Sequence, residues 1–472
     1  MKNLFLILSF VLLAFTACNS DDNNEGPSVS VAFAEASYNL TSDVTPVQIK
    51  FSAPAPSAGS ITITFAAKAA VYTTDFTTVP AVVDNKITLP FAQNATSVEF
   101  NFNRIKKAIG DEVKNVVFTI SSSSINANIA GNKTIQLNFN ETASLGTALA
   151  PEVGGPFQQN QVYVDLSSGK MTKIARTSWD LGFYSGTDAF RVVLNSSVKM
   201  SAKVLTSTNI DEVQAEDETM IISQGSGNLA QIDEPTGDLT KVVIADVSAT
   251  DANNKVYLIN MGSNPGTAAP AVGSEGSASG TSRGWKKVRI LRSGSDYKVQ
   301  YADIKATTHD EIIISKNSAY NFTFLSLIDK KTVNVEPQKN QWDLNFTTFT
   351  NSTQGPNGLA PYHFPDFVLS NLKGDAFAYQ VLVSATVTFD NFTLANVDTS
   401  KFTKDQRNIG SNWRGTSAMG PGGIPVSQFV LRTDRFFVVK DAAGNVYKLK
   451  FTGGANDKGE RGFPKFQYVL LK

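Results

Sequence analysis

Few side chains in this sequence could do chemistry at neutral pH. The 472 residues include two histidines, His309 and His363, and a single cysteine, Cys18. A zinc site, a thiol nucleophile with its base, or a Ser–His–Asp centre each needs His or Cys in a defined group. No HExxH, CxxC or phosphate-binding loop pattern occurs. A glycosidase needs only two placed carboxylates, yet nothing groups any pair among the 42 acidic residues. The expectation is that the chain binds and is not an enzyme. Forty-two Lys plus Arg balance the 42 Asp plus Glu, and a zero net charge argues against a nucleic-acid partner. The 31 Phe, 12 Tyr and 4 Trp, often beside Val, Thr and Ile, suit half-buried strands. The fold class expected is therefore all-β.

The elements that must carry these residues begin after an export signal. Met1-Lys2-Asn3 is a basic start, and Leu4–Phe15 is an apolar run. It is too short to span a bilayer, which takes about 20 residues, and suits the core of a signal peptide. Phe15-Thr16-Ala17-Cys18 resembles a bacterial lipobox, with Phe15 where Leu is usual. The resemblance implies cleavage after residue 17 and acylation of Cys18, with palmitate among the chains. Two or three acyl chains anchor stably where one is marginal. Residues 18–27 contain Asp21, Asp22 and Glu25 and read as an acidic, flexible tether. An acidic stretch there resembles the export signals of surface-exposed lipoproteins. The expected location is the outer membrane, with membrane contact by the lipid anchor alone.

From 28 to 142 the sequence alternates in short runs such as Val47-Gln48-Ile49-Lys50-Phe51 and Val116-Val117-Phe118-Thr119-Ile120. Polar turns separate them, which is the pattern of an antiparallel sandwich. The stretch YTTDFTTVPA followed by ITLPFAQNATSVEFNF resembles a Calx-β or immunoglobulin-like module. Calcium-binding modules of that kind cluster carboxylates. Asp75, Asp84, Asp111 and Glu112 are scattered along the sequence, so no calcium is expected and the module reads as a spacer.

The rest of the chain repeats itself. Trp179-Asp180-Leu181 with Phe183 recurs as Trp342-Asp343-Leu344 with Phe346. DAFRVVLNSSVKMSAKVL (188–205) parallels DFVLSNLKGDAFAYQVL (366–382), and SDYKVQYADI (295–304) parallels FPKFQYVLLK (463–472). Two β-rich units follow, 150–310 and 311–472. On a strand, Trp and Leu face away from the intervening Asp. A buried Trp wants a partner for its indole N–H, and Asp accepts backbone N–H groups. Trp179, Asp180, Phe183, Trp342, Asp343 and Phe346 thus read as a structural signature of the unit rather than a binding site.

This order of features resembles the HmuY family: the strand and turn with Gly-Lys, the WDLxF motif, an asparagine-bearing strand and the closing VVKDAAGNVYKLKF…FQYVLL. The resemblance covers 150–472 as two tandem copies. It implies all-β, outer-membrane-anchored lipoproteins that take haem or a related tetrapyrrole from a host haem carrier and pass it to a TonB-dependent receptor. Haem iron takes axial His, Met, Cys or Tyr donors, and the family uses paired His or paired Met from loops. Candidate ligands here are His363, in the Pro/Gly-rich stretch NSTQGPNGLAPYHFPDF with Tyr362 and Phe364 able to flank a porphyrin, then Met419 in TSAMGPGG, then His309 in THDEIII. Met200, Met220 and Met261 are further sulfurs, although Met is usually core filler. No metal beyond haem iron is expected. The alternative is a non-haem surface adhesion protein whose tandem β modules recognise a glycan or a protein.

Overall fold

A computed structural model describes residues 29–109, 112–139, 142–222, 227–267, 280–355 and 358–472. The signal segment, Cys18 and the acidic tether lie outside the described residues. The described chain has no α-helix, only strands and three-residue 3-10 turns. It divides into two compact units, one of residues up to 105 and 113–140, the other of 106–112 and 141–472.

The first unit is a sandwich of two five-stranded sheets. Strict alternation builds it: in Val44–Phe51 every second residue is buried. Inward-facing rings meet between the sheets, with Phe100 and Phe118 centroids 4.9 Å apart and Phe76 and Phe65 5.7 Å apart. Asp75 is committed to the Val71 amide and to Lys114 at 3.1 Å. Among the described residues no group of three or more His, Cys, Asp or Glu is placed to hold a metal ion.

The second unit opens with a hairpin, β1 (Asn160–Asp165) and β2 (Lys170–Ala175). Trp179 and Asp180 lead into β3 (Leu181–Tyr184), which pairs with β4 (Val192–Leu194). A five-stranded sheet follows, from Ser201–Val204 to Asp310–Ile314. The second copy repeats the order with the hairpin β5 (Phe322–Ser326) and β6 (Lys331–Val333), then β7 (Leu344–Gly355) and β8 (Gly358–Ser370). Its own five-stranded sheet runs from Phe377–Leu382 to the edge strand Ala148–Leu149. A separate hairpin, β9 (Arg414–Met419) and β10 (Pro425–Leu431), stands between strands of that sheet in the chain.

The two copies match residue by residue. Leu181 pairs with Leu194 across β3–β4, as Leu344 pairs with Ser370 across β7–β8. Asn195 donates to the Trp179 carbonyl at 2.8 Å, and Asn371 does the same to Trp342 at 2.8 Å. Each asparagine starts a 3-10 turn that ends in a left-handed residue, Lys199 or Asp375.

Chain order and space are out of phase, however. Hairpin β1–β2 of the first copy joins β7 of the second, while β5–β6 of the second joins β3 of the first. The edge strands follow suit: Ala148–Leu149 closes the second copy's sheet and Asp310–Ile314 closes the first's. Each copy therefore lends its N-terminal arm to the other. Ile314, Leu325 and Leu327 sit in the core of the first copy, and Val153, Val162, Val164 and Leu166 in that of the second. Segments 150–310 and 311–472 are copies in sequence but not separate bodies, and residues 141–472 form one unit.

One local expectation is corrected. The Pro/Gly-rich stretch around His363 is not a loop but the strand β8. It lies at the edge of its four-stranded sheet, where a missing N–H is tolerated, so Pro361 and Pro365 do not interrupt it.

Candidate functional site: the tryptophan cavity

The exchange of arms brings the two tryptophans together. Trp179 packs edge-on against Phe324 of the second copy's arm at 4.8 Å, and Trp342 packs edge-on against Tyr163 of the first copy's arm at 4.9 Å. These four residues and Val335 form one buried cluster. Beside it lies a cavity of about 160 Å³, walled by these rings together with Phe322, Asn345, Phe349 and Ser370. A segment of the first copy, Asp233 to Val242, forms another wall. Gln406 ties that segment down by donating to the Pro235 carbonyl at 2.9 Å.

Two carboxyl groups on the wall are held in unusual states. Glu336 is buried and accepts from the amides of Asn321 at 2.8 Å and Phe322 at 2.9 Å. Burial outweighs those bonds and pushes it up to about 8, so it is mostly neutral at pH 7. Asp233 accepts from Leu194 at 2.7 Å and Val243 at 2.9 Å, and burial raises it to about 6. Three further wall residues carry a buried polar atom with no hydrogen-bond partner among the described residues: Trp342 (Nε1), Asn345 (Oδ1) and Ser370 (Oγ). The arrangement is a pocket with an apolar, aromatic end and a few hydrogen-bonding groups, with the part-exposed Glu234, Asp238 and Lys373 also on its wall.

The motif residues have structural duties. Asp180 accepts from the Leu327 amide at 2.7 Å, and Asp343 from the Leu166 amide at 2.8 Å. Each carboxylate thus secures the arm borrowed from the other copy. Phe183 and Phe346 are fully in the two cores.

The ligand candidates are scattered, and the structure does not bring them together. His363 is buried on β8, with Nδ1 3.2 Å from the Thr350 hydroxyl and Nε2 without a partner among the described residues. Burial first, then the positive Arg176 and Lys199, hold it well below its usual range, so it is neutral. Tyr362 and Phe364 cannot flank a ring bound at His363. Alternation turns them to the other side of the strand, where they stack edge-on at 4.7 Å. His309 is spent on Asp211 at 2.9 Å and Gln300 at 3.1 Å. Met200, Met220 and Met261 are core residues, whereas Met419 is 71% exposed at the end of β9.

Sequence reasoning passed over Glu336, Asn345 and Ser370. The signal was present in the repeat itself: aligned copies place Ser370 opposite Leu194 and Asn345 opposite Gly182, polar residues where a core position is otherwise apolar. It also passed over Gly280-Thr281-Ser282-Arg283-Gly284, which spells the GxSxG pattern. Ser282 is exposed, hydrogen-bonds only locally to the Gly284 amide, and precedes a strand, Trp285–Ser293. A nucleophile elbow requires a strand before the serine and a helix after it.

The sequence model of the family described as HmuY protein matches residues 157–314 and again 318–468. This chain belongs to the HmuY family. The two matches are the two copies that exchange arms, and they take in both tryptophans. HmuY proteins are a haem-binding family of surface lipoproteins. No helix among the described residues is long and apolar enough to cross a membrane. No curated protein matches the chain. Solved structures similar to it include the apo-form Calx CBD1 domain (16% identity, 24% of this chain and 96% of that one, TM-score 0.20). CBD12 of CALX1.2 is another (13% identity, 31% and 68%, TM-score 0.20).

Proposed function

We propose that this HmuY-family chain is a lipid-anchored surface protein, not an enzyme, that binds haem or a related tetrapyrrole for uptake through an outer-membrane receptor. The family match in two tandem copies carries the reading, and the lipobox-like Phe15-Thr16-Ala17-Cys18 supports it. A porphyrin does not fit the tryptophan cavity, whose 160 Å³ is below the roughly 300 Å³ at which pockets begin to hold drug-sized ligands. The ring would lie outside that cavity. The β9–β10 hairpin, which does not line it, offers Met419, 71% exposed, with Ile424 at 67% and Val426 at 39% exposed beside it. Thioether sulfur is an axial haem donor, and exposed apolar side chains suit the face of a porphyrin. His363 would have to leave the core to reach iron.

Titrating the purified chain with hemin tests this. A saturable Soret shift is expected, altered in Met419→Ala and unchanged in His363→Ala. An unchanged hemin spectrum at micromolar protein would overturn the haem reading. It would leave recognition of a glycan or protein by the tandem β modules as the surviving function.

A further inference from the structure

The tryptophan cavity is independent of a haem site at the β9–β10 hairpin, and its polar groups follow a pattern. Every hydrogen-bonding loose end on its wall belongs to the second copy, and the first copy shows how each is normally settled. Trp179 donates its indole N–H to Gln161 at 2.8 Å. At the place of Gln161 the second copy carries Phe322, which has no acceptor, and the Trp342 N–H is left without a partner among the described residues. Where the first copy has Gly182 and Leu194, the second has Asn345 and Ser370, each with an unpartnered oxygen and each at least nine-tenths buried. Ser370 pairs with Leu344 and so turns to the second copy's core, whereas Asn345 shares the face of Tyr163 and Trp342. Leaving such a group unpaired costs about 1–3 kcal/mol, so the two on the tryptophan face call for an occupant.

The walls describe that occupant. A cavity of about 150 Å³ holds a benzene-sized molecule, and this one measures about 160 Å³. Its sides are the aromatic faces and edges of Tyr163, Phe324, Trp179 and Trp342, which favour a flat ring. Burying an unpaired charge would be prohibitive, and Glu336 and Asp233 already have backbone donors. A neutral ligand is therefore indicated. It must accept from the Trp342 indole and donate to Asn345, and a single hydroxyl does both. A sugar of the same size carries several hydroxyls and would leave most of them unsatisfied. We infer that the tryptophan cavity is a binding site for a six-membered aromatic ring bearing one hydroxyl, a phenol-like molecule.

Phenol and benzene serve as paired probes for the purified full chain, followed by calorimetry and ligand-observed saturation-transfer NMR. Saturable phenol binding is expected, at least ten-fold tighter than benzene. Asn345→Leu removes the acceptor on the tryptophan face, fills the cavity and should abolish binding while the near-ultraviolet circular dichroism is retained. Trp342→Phe removes the donor and should bring phenol down to the level of benzene; it is decisive if Asn345→Leu fails to fold. Two results would overturn the assignment: no saturable binding of phenol, which makes this a hydrated cavity only, or equal affinity for the two probes, which makes it an unspecific apolar void.

Discussion

Around Trp179 and around Trp342 the chain builds the same frame and wires it differently. In both, the aspartate after the tryptophan receives an amide from the partner copy's arm, Leu327 in one case and Leu166 in the other. In the first copy Asp180 also holds Arg283 at 2.8 Å, with both side chains at most 1% exposed. Burial raises Asp180, and the guanidinium opposes that rise. In the second copy no arginine is bonded to Asp343 among the described residues. Asp441 stands at the place of Met261 and Asp165 at that of Ser326. Burial first, then these two carboxylates, hold Asp343 well above the usual range. The repeated motif thus fixes geometry, and each copy settles its charge by local means. The first copy settles it with an ion pair, and the second leaves a carboxyl held well above its usual range.

That contrast is broken most forcefully at the aspartates. Asp180→Asn keeps an acceptor for Leu327 but strands Arg283 in the core. Removing one partner of a buried pair costs roughly 3–5 kcal/mol, and a loss of at least 3 kcal/mol in urea unfolding is expected. Asp343→Asn replaces a carboxyl whose charge burial and its neighbours already disfavour, and a change within about 1 kcal/mol is expected, since an amide relieves the repulsion from Asp441 and Asp165. Equal losses in the two variants would show that charge does not distinguish the halves.

The parts legible in the sequence were those set by local pattern. Alternation such as that of Val44–Phe51 marked the strands, and the recurrence of Trp-Asp-Leu-x-Phe marked two equivalent places. Arm exchange left no local trace, because the pairing of β1 with β7 joins residues far apart in the chain. His363 was misplaced for a definable reason. Prolines in NSTQGPNGLAPYHFPDF suggest a loop, and only the position of β8 at a sheet edge reconciles them with a strand. Glu336 was invisible for another reason. A lone glutamate reads as solvated, and the donors it meets when buried, Asn321 and Phe322 at the start of β5, lie about 15 residues back in the chain.

A second test sharpens the comparison at Glu336, which aligns with Ala175 in the first copy. Its folded value of about 8 lies above the ordinary glutamate value of 4.5. The stability it contributes is present below about pH 4.5 and is lost as pH rises towards 8. Urea midpoints of the parent chain should fall across pH 5 to 8, by an amount on the order of 1–4 kcal/mol. Glu336→Gln keeps an acceptor for both amides and removes the titration, so the gap between variant and parent should widen in that window. Asp233, raised to about 6, adds a fall in the same direction between pH 4 and 6. His363, held low, adds a loss as pH drops below its usual 6.5. Both are common to parent and variant and cancel in the difference. A gap that stays constant from pH 5 to 8 would place the Glu336 carboxyl in water.

The smallest effect separates the two tryptophans themselves. Phenylalanine removes the same indole ring from either site and costs similar packing, since Trp179 and Trp342 are buried to 7% and 8% exposure and each meets one aromatic edge. What differs is the N–H. In Trp179→Phe the Gln161 oxygen loses its donor and is left buried, a cost of about 1–3 kcal/mol. In Trp342→Phe an N–H that had no acceptor among the described residues disappears, and its desolvation penalty goes with it. The Trp179 variant should therefore be less stable than the Trp342 variant by about 1 kcal/mol in the absence of any ligand. Adding Gln161→Leu to each variant separates packing from hydrogen bonding. It should cost little more beside Trp179→Phe, where the bond is already gone, and should cost the bond anew beside Trp342→Phe. Identical costs in both backgrounds would mean that Gln161 does not hold Trp179, and that the halves differ in charge alone.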